Sequence, residues 1–450
     1  MTYADAVRAL YALGNEVRTA RLGLERIRAA LARLGDPQKA CRFVHVAGTN
    51  GKGSVCAMIE AGLRTAGVRT GLYTSPHLVE PTERIRIDGE QISRDEFVRT
   101  FQTVRAASDE LTYFETVTAM AFLAFREHAV ELVALEVGLG GRLDATNVVM
   151  PELCVITAID LDHQNFLGDT LQQIAAEKAG ILKAGVPAVF SRQKPEAEGV
   201  LEERAGELGI PVSRTSDFGP FDVRIEPTGS RFFVGQPPGL RRSLRPPAGR
   251  LTSADEAGLS SPSRPDRPPH NDEIVCPLAG EHQVENALTA AVALSEMGYP
   301  PDGIRHAQWP GRLERLANAP EIVLDGAHNI GGAEALAAWI RRFYTGRRIW
   351  IVFGAMSDKN AAASAALLFP LAARVIATAA DNVRALAPAE IAAAVPAAVN
   401  VSLTSSVPEA LALVRAQASK DDAVFITGSL YVVGEARRLL VPADYPLAPE

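Results

Sequence analysis

Short apolar runs alternate with longer amphipathic stretches between about residues 43 and 190, and that rhythm predicts a fold before any chemistry is considered. The runs 43–47, 70–73, 132–137, 153–157 and 186–190 are rich in aliphatic and β-branched residues and read as strands. Between them, 54–66, 94–108, 117–128 and 170–182 carry the spacing of helices. Strands separated by helices imply a mostly parallel sheet with helices on both faces, since a parallel crossover needs a long connection. A second series follows Trp309-Pro310-Gly311, with strands at 322–324, 349–353, 374–378 and 423–426 and helices at 332–342 and 407–418. The expected architecture is therefore α/β in two units: residues 1–309 with a phosphate-loop type of sheet, and a smaller Rossmann-like unit at 310–450 beyond a hinge near Pro310. In such sheets ligands bind at the carboxyl ends of the strands, and paired units place substrate in the cleft between them.

From 235 to 272 the composition changes to Pro, Arg, Ser and Gly, with Pro237-Pro238, Pro246-Pro247 and Pro268-Pro269. This segment reads as a mobile surface insertion. Its basic residues offer a polyanion something to bind, but proline-rich chain that buries little is first of all a solvated loop. Strand-like pieces at 222–225 and 274–276 flank it, so it is expected to decorate a hairpin or the connection between them.

A chain of 450 residues exceeds one ordinary core, and 47% hydrophobic with 22% charged residues excludes disorder as the dominant state. The net charge of −7 gives no reason to expect nucleic acid or an anionic membrane as partner, so anionic substrates must meet local positive sites. The four cysteines, Cys41, Cys56, Cys154 and Cys276, form no C-x-x-C pair, which indicates neither a zinc ribbon nor a dithiol redox site and fits a reduced, cytoplasmic protein. The N-terminus has the amphipathic pattern Ala6, Leu10, Leu13 rather than that of a signal peptide, and no stretch approaches the ~20 apolar residues of a membrane span.

The chemistry begins where the run 43–47 turns through Gly48-Thr49-Asn50-Gly51-Lys52-Gly53-Ser54 into a helix. Glycines let backbone N–H groups approach an anion, the helix N-terminus adds its positive end, Lys52 reaches a terminal phosphate, and Ser54 offers a hydroxyl to Mg²⁺. The pattern G-x-x-x-x-G-K-[ST] does not fit, because Val46 stands where its first glycine belongs and Gly53 intervenes between Lys52 and Ser54. Glu136, at the end of an apolar run, suits a metal at a strand's carboxyl end, though a strand cap or a pair with Arg142 is as good an account of it alone. His163, in Asp160-Leu161-Asp162-His163, belongs to the same edge, where a lone histidine is more often structural. Arg312, at the expected hinge, suits either a phosphate or an interdomain ion pair.

The loop 48–54 resembles the ATP loop of the Mur ligase superfamily, most closely that of folylpolyglutamate and dihydrofolate synthases. Further segments resemble that family in the expected order: the glycine-rich 138–147, Asp162-His163, Glu177-Lys178-Ala179-Gly180, 278–287, Gly311-Arg312-Leu313-Glu314, Asp325-Gly326-Ala327-His328-Asn329, 353–359 and 427–431. The likeness covers roughly residues 40–195 and 276–435 and leaves the proline-rich segment outside. It implies that Gly48, Thr49, Asn50, Gly51, Lys52, Gly53 and Ser54 bind ATP together with Asn286 at the base, Arg312 at the phosphates, and Asp325 and His328 across the cleft. It also implies metal ligation by Ser54 and Glu136, and at a second ion by His163 and a carbamylated Lys178. Lys52, His163, Lys178 and Arg312 would carry the catalysis. Ser75 and Pro76 in Ser75-Pro76-His77-Leu78, Phe114 in 111–115, and Arg142 and Asp144 would border the folate or pteroate site.

Cell-wall Mur ligases place a uridine-nucleotide domain before the ATP loop. Only about 45 residues precede Gly48 here, too few for such a domain. The resemblance thus implies an ATP- and Mg²⁺-dependent amide ligase that adds L-glutamate to dihydropteroate and to reduced folates, acting as a monomer on small molecules. A folylpolyglutamate synthase alone is the first alternative, and a nucleotide-dependent switch that makes no bond is the second.

Overall fold

The apolar runs of the first series pair with one another because each is buried, and their N–H and C=O groups find partners only in neighbouring strands. The structure is a computed structural model and describes residues 1–14, 23–235, 272–357, 359–393 and 400–441. Eight strands form the large sheet: β1 (Arg42–Ala47), β2 (Thr70–Tyr73), β3 (Ile85–Ile87), β4 (Glu90–Gln91), β5 (Leu132–Glu136), β6 (Leu153–Ile156), β7 (Ala188–Phe190) and β8 (Val212–Arg214). Their order is β4-β3-β2-β5-β1-β6-β7-β8. From β2 to β8 the pairings are parallel, and β3 and β4 add an antiparallel edge.

Alternation along β1 sends its side chains to two cores. Val44 and Val46 pack with the helices Lys52–Thr65 and His282–Glu296. Phe43 faces the opposite side, edge-on to Phe122 of the helix Tyr113–Glu127 at 5.7 Å between centroids. That helix starts before residue 117, where periodicity alone would begin it. Thr112 accepts from the Glu115 N–H while the Glu115 carboxylate accepts from the Thr112 N–H, a reciprocal cap that fixes the first turn.

A small antiparallel sheet follows, β11-β10-β9, built from β9 (Phe221–Glu226), β10 (Gly229–Val234) and β11 (Asp272–Cys276). The expected segment 235–272 lies, apart from its two end residues, outside the described residues, and Asp272 already pairs with Val234. It therefore joins β10 to β11. The strand β10 was not expected, since its run is short and alternates exposed and buried positions against β9 and β11 alone.

The second series gives β12 (Glu314–Asn318), β13 (Glu321–Leu324), β14 (Ile349–Phe353), β15 (Arg374–Ala377), β16 (Val401–Leu403) and β17 (Ala423–Thr427), in the order β12-β13-β17-β14-β15-β16. All pairings but β12 with β13 are parallel. Asn329 caps the helix Ile330–Phe343 by accepting from the Gly332 N–H at 2.8 Å. The carboxyl ends of β1, β5 and β6 face those of β13 and β17 across one cleft. Among the described residues no helix is long and apolar enough to cross a membrane.

Candidate active site

The cleft holds a cavity of about 350 Å³ whose lining brings together the loop 48–54, Ser75, Pro76, Glu136, His163, Lys178, Asn286, Arg312, Asp325 and His328. Residues far apart in sequence meet there because most of them end or follow a strand at the same edge of its sheet, while Lys178 and Asn286 come from helices packed beside that edge.

The phosphate loop is braced from outside itself. Its Thr49 and Asn50 N–H groups both donate to the Ala158 carbonyl beyond β6, and the Thr49 hydroxyl donates to the Asp160 carbonyl at 3.0 Å. Gly48, at φ +148°, is so close to β6 that a Cβ would lie 1.9 Å from Thr157 Oγ1. Gly51, at φ +88°, would place a Cβ 2.2 Å from Asn286 Oδ1, and Gly53 would meet the Trp309 ring at 2.5 Å. Lys52 Nζ donates to the Thr49 carbonyl at 3.3 Å, curled over the loop. Ser54 Oγ accepts from Gln283 Nε2 at 3.3 Å, and Gln283 Oε1 accepts from Asn286 Nδ2 at 2.9 Å.

Two buried ionisable groups flank the loop. Glu136 accepts from the Ser75 N–H at 3.0 Å, and burial pushes its carboxyl up to about 7 against the pull of Lys52 and Arg312. Lys178, only 4% exposed, donates to the Gly48 carbonyl at 2.7 Å, and burial, helped by the charge of Lys52, brings its ammonium down to about 7. His163 lies at φ +50°, and burial holds its ring down to about 4 although Asp162 works the other way.

The opposite wall is held by strand-end carboxylates and caps. Asp325 accepts from the Leu313 and Ala327 N–H groups, both at 3.0 Å, while burial raises its carboxyl and Arg312 opposes that rise. His328 Nδ1 lies 2.8 Å from the Gly326 carbonyl, and burial, with the Lys359 charge, lowers its ring to about 4. The walls touch: Asn329 Nδ2 donates to Asn50 Oδ1 at 2.9 Å, and Lys359 pairs with Asp162 at 2.5 Å. Burial raises Asp162, but the charges of His163 and Lys359 outweigh it and hold the carboxyl below the usual range.

The acceptor-site residues are arranged differently. The Phe114 ring packs on Gly138, where a Cβ would stand 2.4 Å from its Cζ. Arg142 pairs with Glu177 at 2.8 Å on the surface. Asp144 is buried and spends both oxygens inside its own loop, accepting from the Gly138, Leu139 and Thr146 N–H groups and the Thr146 hydroxyl. Neither Arg142 nor Asp144 lines the cavity, whereas Gly138, Leu139 and Gly140 do. Sequence reasoning did not single out Gln283, Trp309 or Asn329, which also line it. For Asn329 and Trp309 the signal was their place beside the motif 325–328 and the hinge; Gln283 carries no signal outside the fold.

A divalent cation fits this donor set in part. Among the described residues no three His, Cys, Asp or Glu side chains gather to hold a metal unaided. Glu136, which makes no ion pair among the described residues, and the Ser54 hydroxyl fit a Mg²⁺ that keeps water and phosphate oxygens as its other ligands. His163 and Lys178 fit a second ion only if the amine becomes a carbamate, since an amine that donates to Gly48 offers no oxygen.

Comparison with known proteins agrees with this geometry. Residues 46–208 match the family model described as Mur ligase middle domain, and 311–430 that described as Mur ligase, glutamate ligase domain. The dihydrofolate synthase/folylpolyglutamate synthase of Bacillus subtilis is 34% identical over 93% of this chain and 95% of its own length. A probable bifunctional folylpolyglutamate synthase/dihydropteroate synthase of Haloferax volcanii is 36% identical over 99% of the chain, which spans 51% of that protein. Among solved structures, Escherichia coli FolC in complex with DHPP and ADP superposes with a TM-score of 0.80 at 30% identity, covering 98% of this chain and 97% of that one. Mycobacterium tuberculosis folylpolyglutamate synthase complexed with ADP gives 0.83 at 31% identity, covering 98% and 99%.

Proposed function

The chain belongs to the folylpolyglutamate and dihydrofolate synthase family of Mur ligases, and from that premise we propose how its cleft works and on which acceptors. It is an ATP-dependent ligase that joins glutamate to folates. We read it as bifunctional, adding L-glutamate to dihydropteroate and then extending reduced folates. What supports this reading is the name of a relative that aligns along nearly its whole length, a dihydrofolate synthase/folylpolyglutamate synthase, together with a cleft in which the phosphate loop, Glu136, Lys178, Arg312, Asp325 and His328 face the turn 138–140. We also take Pro310 as the division between an ATP-binding unit, 1–309, and a glutamate-ligase unit, 310–450, working as a cytoplasmic monomer. The free cysteines support a reducing compartment.

A carboxylate is a poor electrophile, so the acceptor's carboxylate oxygen first attacks the γ-phosphorus of ATP. The bond from that phosphorus to the bridging oxygen breaks, and ADP leaves with the electron pair. The backbone N–H groups of 51–54, at the helix N-terminus, would hold the phosphates, while Lys52 and Arg312, which line the same cavity, would meet the charge that spreads over the transferring group. Mg²⁺ held by Ser54 and Glu136 would supply Lewis-acid neutralisation of the phosphate oxygens. The glutamate amine then attacks the acyl phosphate carbon, phosphate leaves, and an amide remains. A second metal ion held by His163 and a carbamylated Lys178 would supply positive charge to the oxyanion of that tetrahedral step. The lowered Lys178 leaves much of its amine neutral near pH 7, which supports reaction with CO₂ to a carbamate.

The test is phosphate release with ATP, Mg²⁺ and L-glutamate against dihydropteroate, tetrahydrofolate and no acceptor, with products identified by mass. Amide product with both acceptors is expected. Product with tetrahydrofolate alone reduces the reading to a polyglutamate synthase, and ADP formed without amide favours a switch.

A further inference from the structure

The strand β1 serves both sides of the cleft: its carboxyl end launches the phosphate loop, and His45, on its opposite face, reaches the loop 138–147. We propose that His45 and Thr146 are positioning residues that hold Asp144, and through it the acceptor-side turn 138–140, from beneath. This rests on the reading of that turn as the border of the pteroate and folate site.

His45 is fully buried, and its Nε2 lies 2.8 Å from Thr146 Oγ1. Thr146 Oγ1 in turn lies 2.5 Å from Asp144 Oδ1, which also receives the Thr146 N–H at 2.9 Å. The other oxygen, Oδ2, receives the N–H groups of Gly138 at 3.1 Å and Leu139 at 2.9 Å.

Proton bookkeeping gives this chain a direction. Three backbone N–H groups and the Thr146 hydroxyl point at the Asp144 oxygens and favour the carboxylate, against burial, which raises its carboxyl. The one hydroxyl proton of Thr146 then goes to Asp144, and Thr146 Oγ1 has only a lone pair for His45. His45 is therefore the neutral tautomer with its proton on Nε2, and it donates. Its Nδ1 is buried without a partner among the described residues.

A buried nitrogen without a partner is destabilising, and an apolar side chain such as neighbouring Phe43 would avoid it. What histidine adds is a donor that fixes the Thr146 rotamer, so that the hydroxyl points at Asp144 and at nothing else. Released from that hold, the Gly138 and Leu139 N–H groups lose a fixed anchor, and the turn that lines the cleft under Phe114 moves. The phosphate loop has separate braces at Ala158, Asp160 and Lys178, so nucleotide binding should not follow.

The experiment compares Thr146→Val, His45→Leu, the double variant and His45→Gln in the ligase assay, with ATP affinity measured separately by calorimetry. Wild-type protein must first form amide; if it does not, the functional reading fails and not this one. Each single variant is expected to raise the acceptor KM about 10-fold with ATP affinity unchanged, as for a displaced positioning group. The double variant should be no worse than the weaker single, because one chain is broken once. His45→Gln, which keeps an N–H donor at similar reach, should recover most of the loss. Multiplicative effects in the double variant, equal loss of ATP affinity, or unchanged KM in folded variants would overturn the proposal. Should His45→Leu not fold, Thr146→Val and His45→Gln still decide. Histidine ¹⁵N NMR gives an answer independent of turnover: a neutral ring protonated at Nε2 is expected for His45 from pH 7 to pH 5, and the Nδ1–H tautomer would contradict the chain's direction.

Discussion

The two glycine-rich loops at the cleft, 48–54 and 138–147, look alike in sequence and are supported in different ways. The first is held by other elements: Thr157, Asn286 and Trp309 stand where side chains on its glycines would be, Ala158 and Lys178 bond its backbone, and Asp160 bonds the Thr49 hydroxyl. The second is braced from outside as well, by the Glu177 and Gly180 carbonyls and by His45, but it also carries an anchor of its own, Asp144, which gathers the N–H groups of Gly138, Leu139 and Thr146. A loop that must wrap a polyanion needs free N–H groups at its helix end, so its support comes from outside, at Thr49 and Asn50 and at the Gly48 carbonyl. A loop that forms a wall can spend its own N–H groups on its own carboxylate.

The largest effect expected separates the loops by chemistry. Lys178→Ala should lower kcat by about 100- to 1,000-fold if a Lys178 carbamate holds the ion that stabilises the oxyanion, and ATP affinity by far less. Single-turnover kinetics beside calorimetry reads both, and equal losses would leave Lys178 only as a brace for the Gly48 carbonyl. Gly48→Ala comes next. At φ +148°, with Thr157 Oγ1 1.9 Å from the new Cβ, the loop must shift, and ATP affinity should fall about 100-fold with acceptor binding spared.

Asp144→Asn attacks the self-anchored loop, since an amide turns one acceptor into a donor facing N–H groups. A loss of about 2–4 kcal/mol in stability to urea is expected, with the acceptor KM raised and ATP affinity retained. If ATP affinity fell in step, the two loops would not be independent.

Acidity probes the link between them. Burial, with a smaller contribution from the Lys183 charge, brings the His45 ring down to about 3, and through Thr146 the charge it faces is Asp144. A histidine kept neutral in the fold but protonated when unfolded stabilises the fold above its unfolded value of about 6.5 and loses that stabilisation as pH falls toward 3. Between pH 7 and pH 5 the wild type should therefore lose about 2 kcal/mol more than His45→Gln in urea unfolding. Parallel curves would mean that His45 is protonated in the fold. The smallest effect belongs to Arg142→Ala. Its pair with Glu177 is exposed, so stability should change by less than about 0.5 kcal/mol, and a rise in acceptor KM at constant melting temperature would report a contact with substrate.

Much of the fold could be read from the chain because burial on both faces leaves a mark: β5, β6, β14 and β17 fall on apolar runs, and β1 and β2 on short, mostly apolar ones, with His45 inside β1. The strands β3, β4, β8, β10 and β12 are short or partly exposed, and no run announces them. At the site, the loop 48–54, Glu136 and the segment 325–329 were legible because each ends or follows a strand and carries an unusual residue for its place, whereas Lys178 was legible only through the family resemblance of its segment. Gln283 was not, since its bond to Ser54 Oγ joins residues more than two hundred positions apart. Nor was the bond from Lys178 to Gly48, which makes a lysine at the end of a helix part of the phosphate loop's support.

By itself, then, the sequence determined which segments become strands and helices and which chemical groups stand at strand ends, because periodicity and local caps act over a few residues. Tertiary structure alone decided which of those ends meet across the cleft, which charges are stripped of water enough to titrate near neutrality, and that Asp144 serves its own loop while His45 serves Asp144. Burial, and the hydrogen-bond partners that burial demands, belong to the packed molecule rather than to any stretch of its chain.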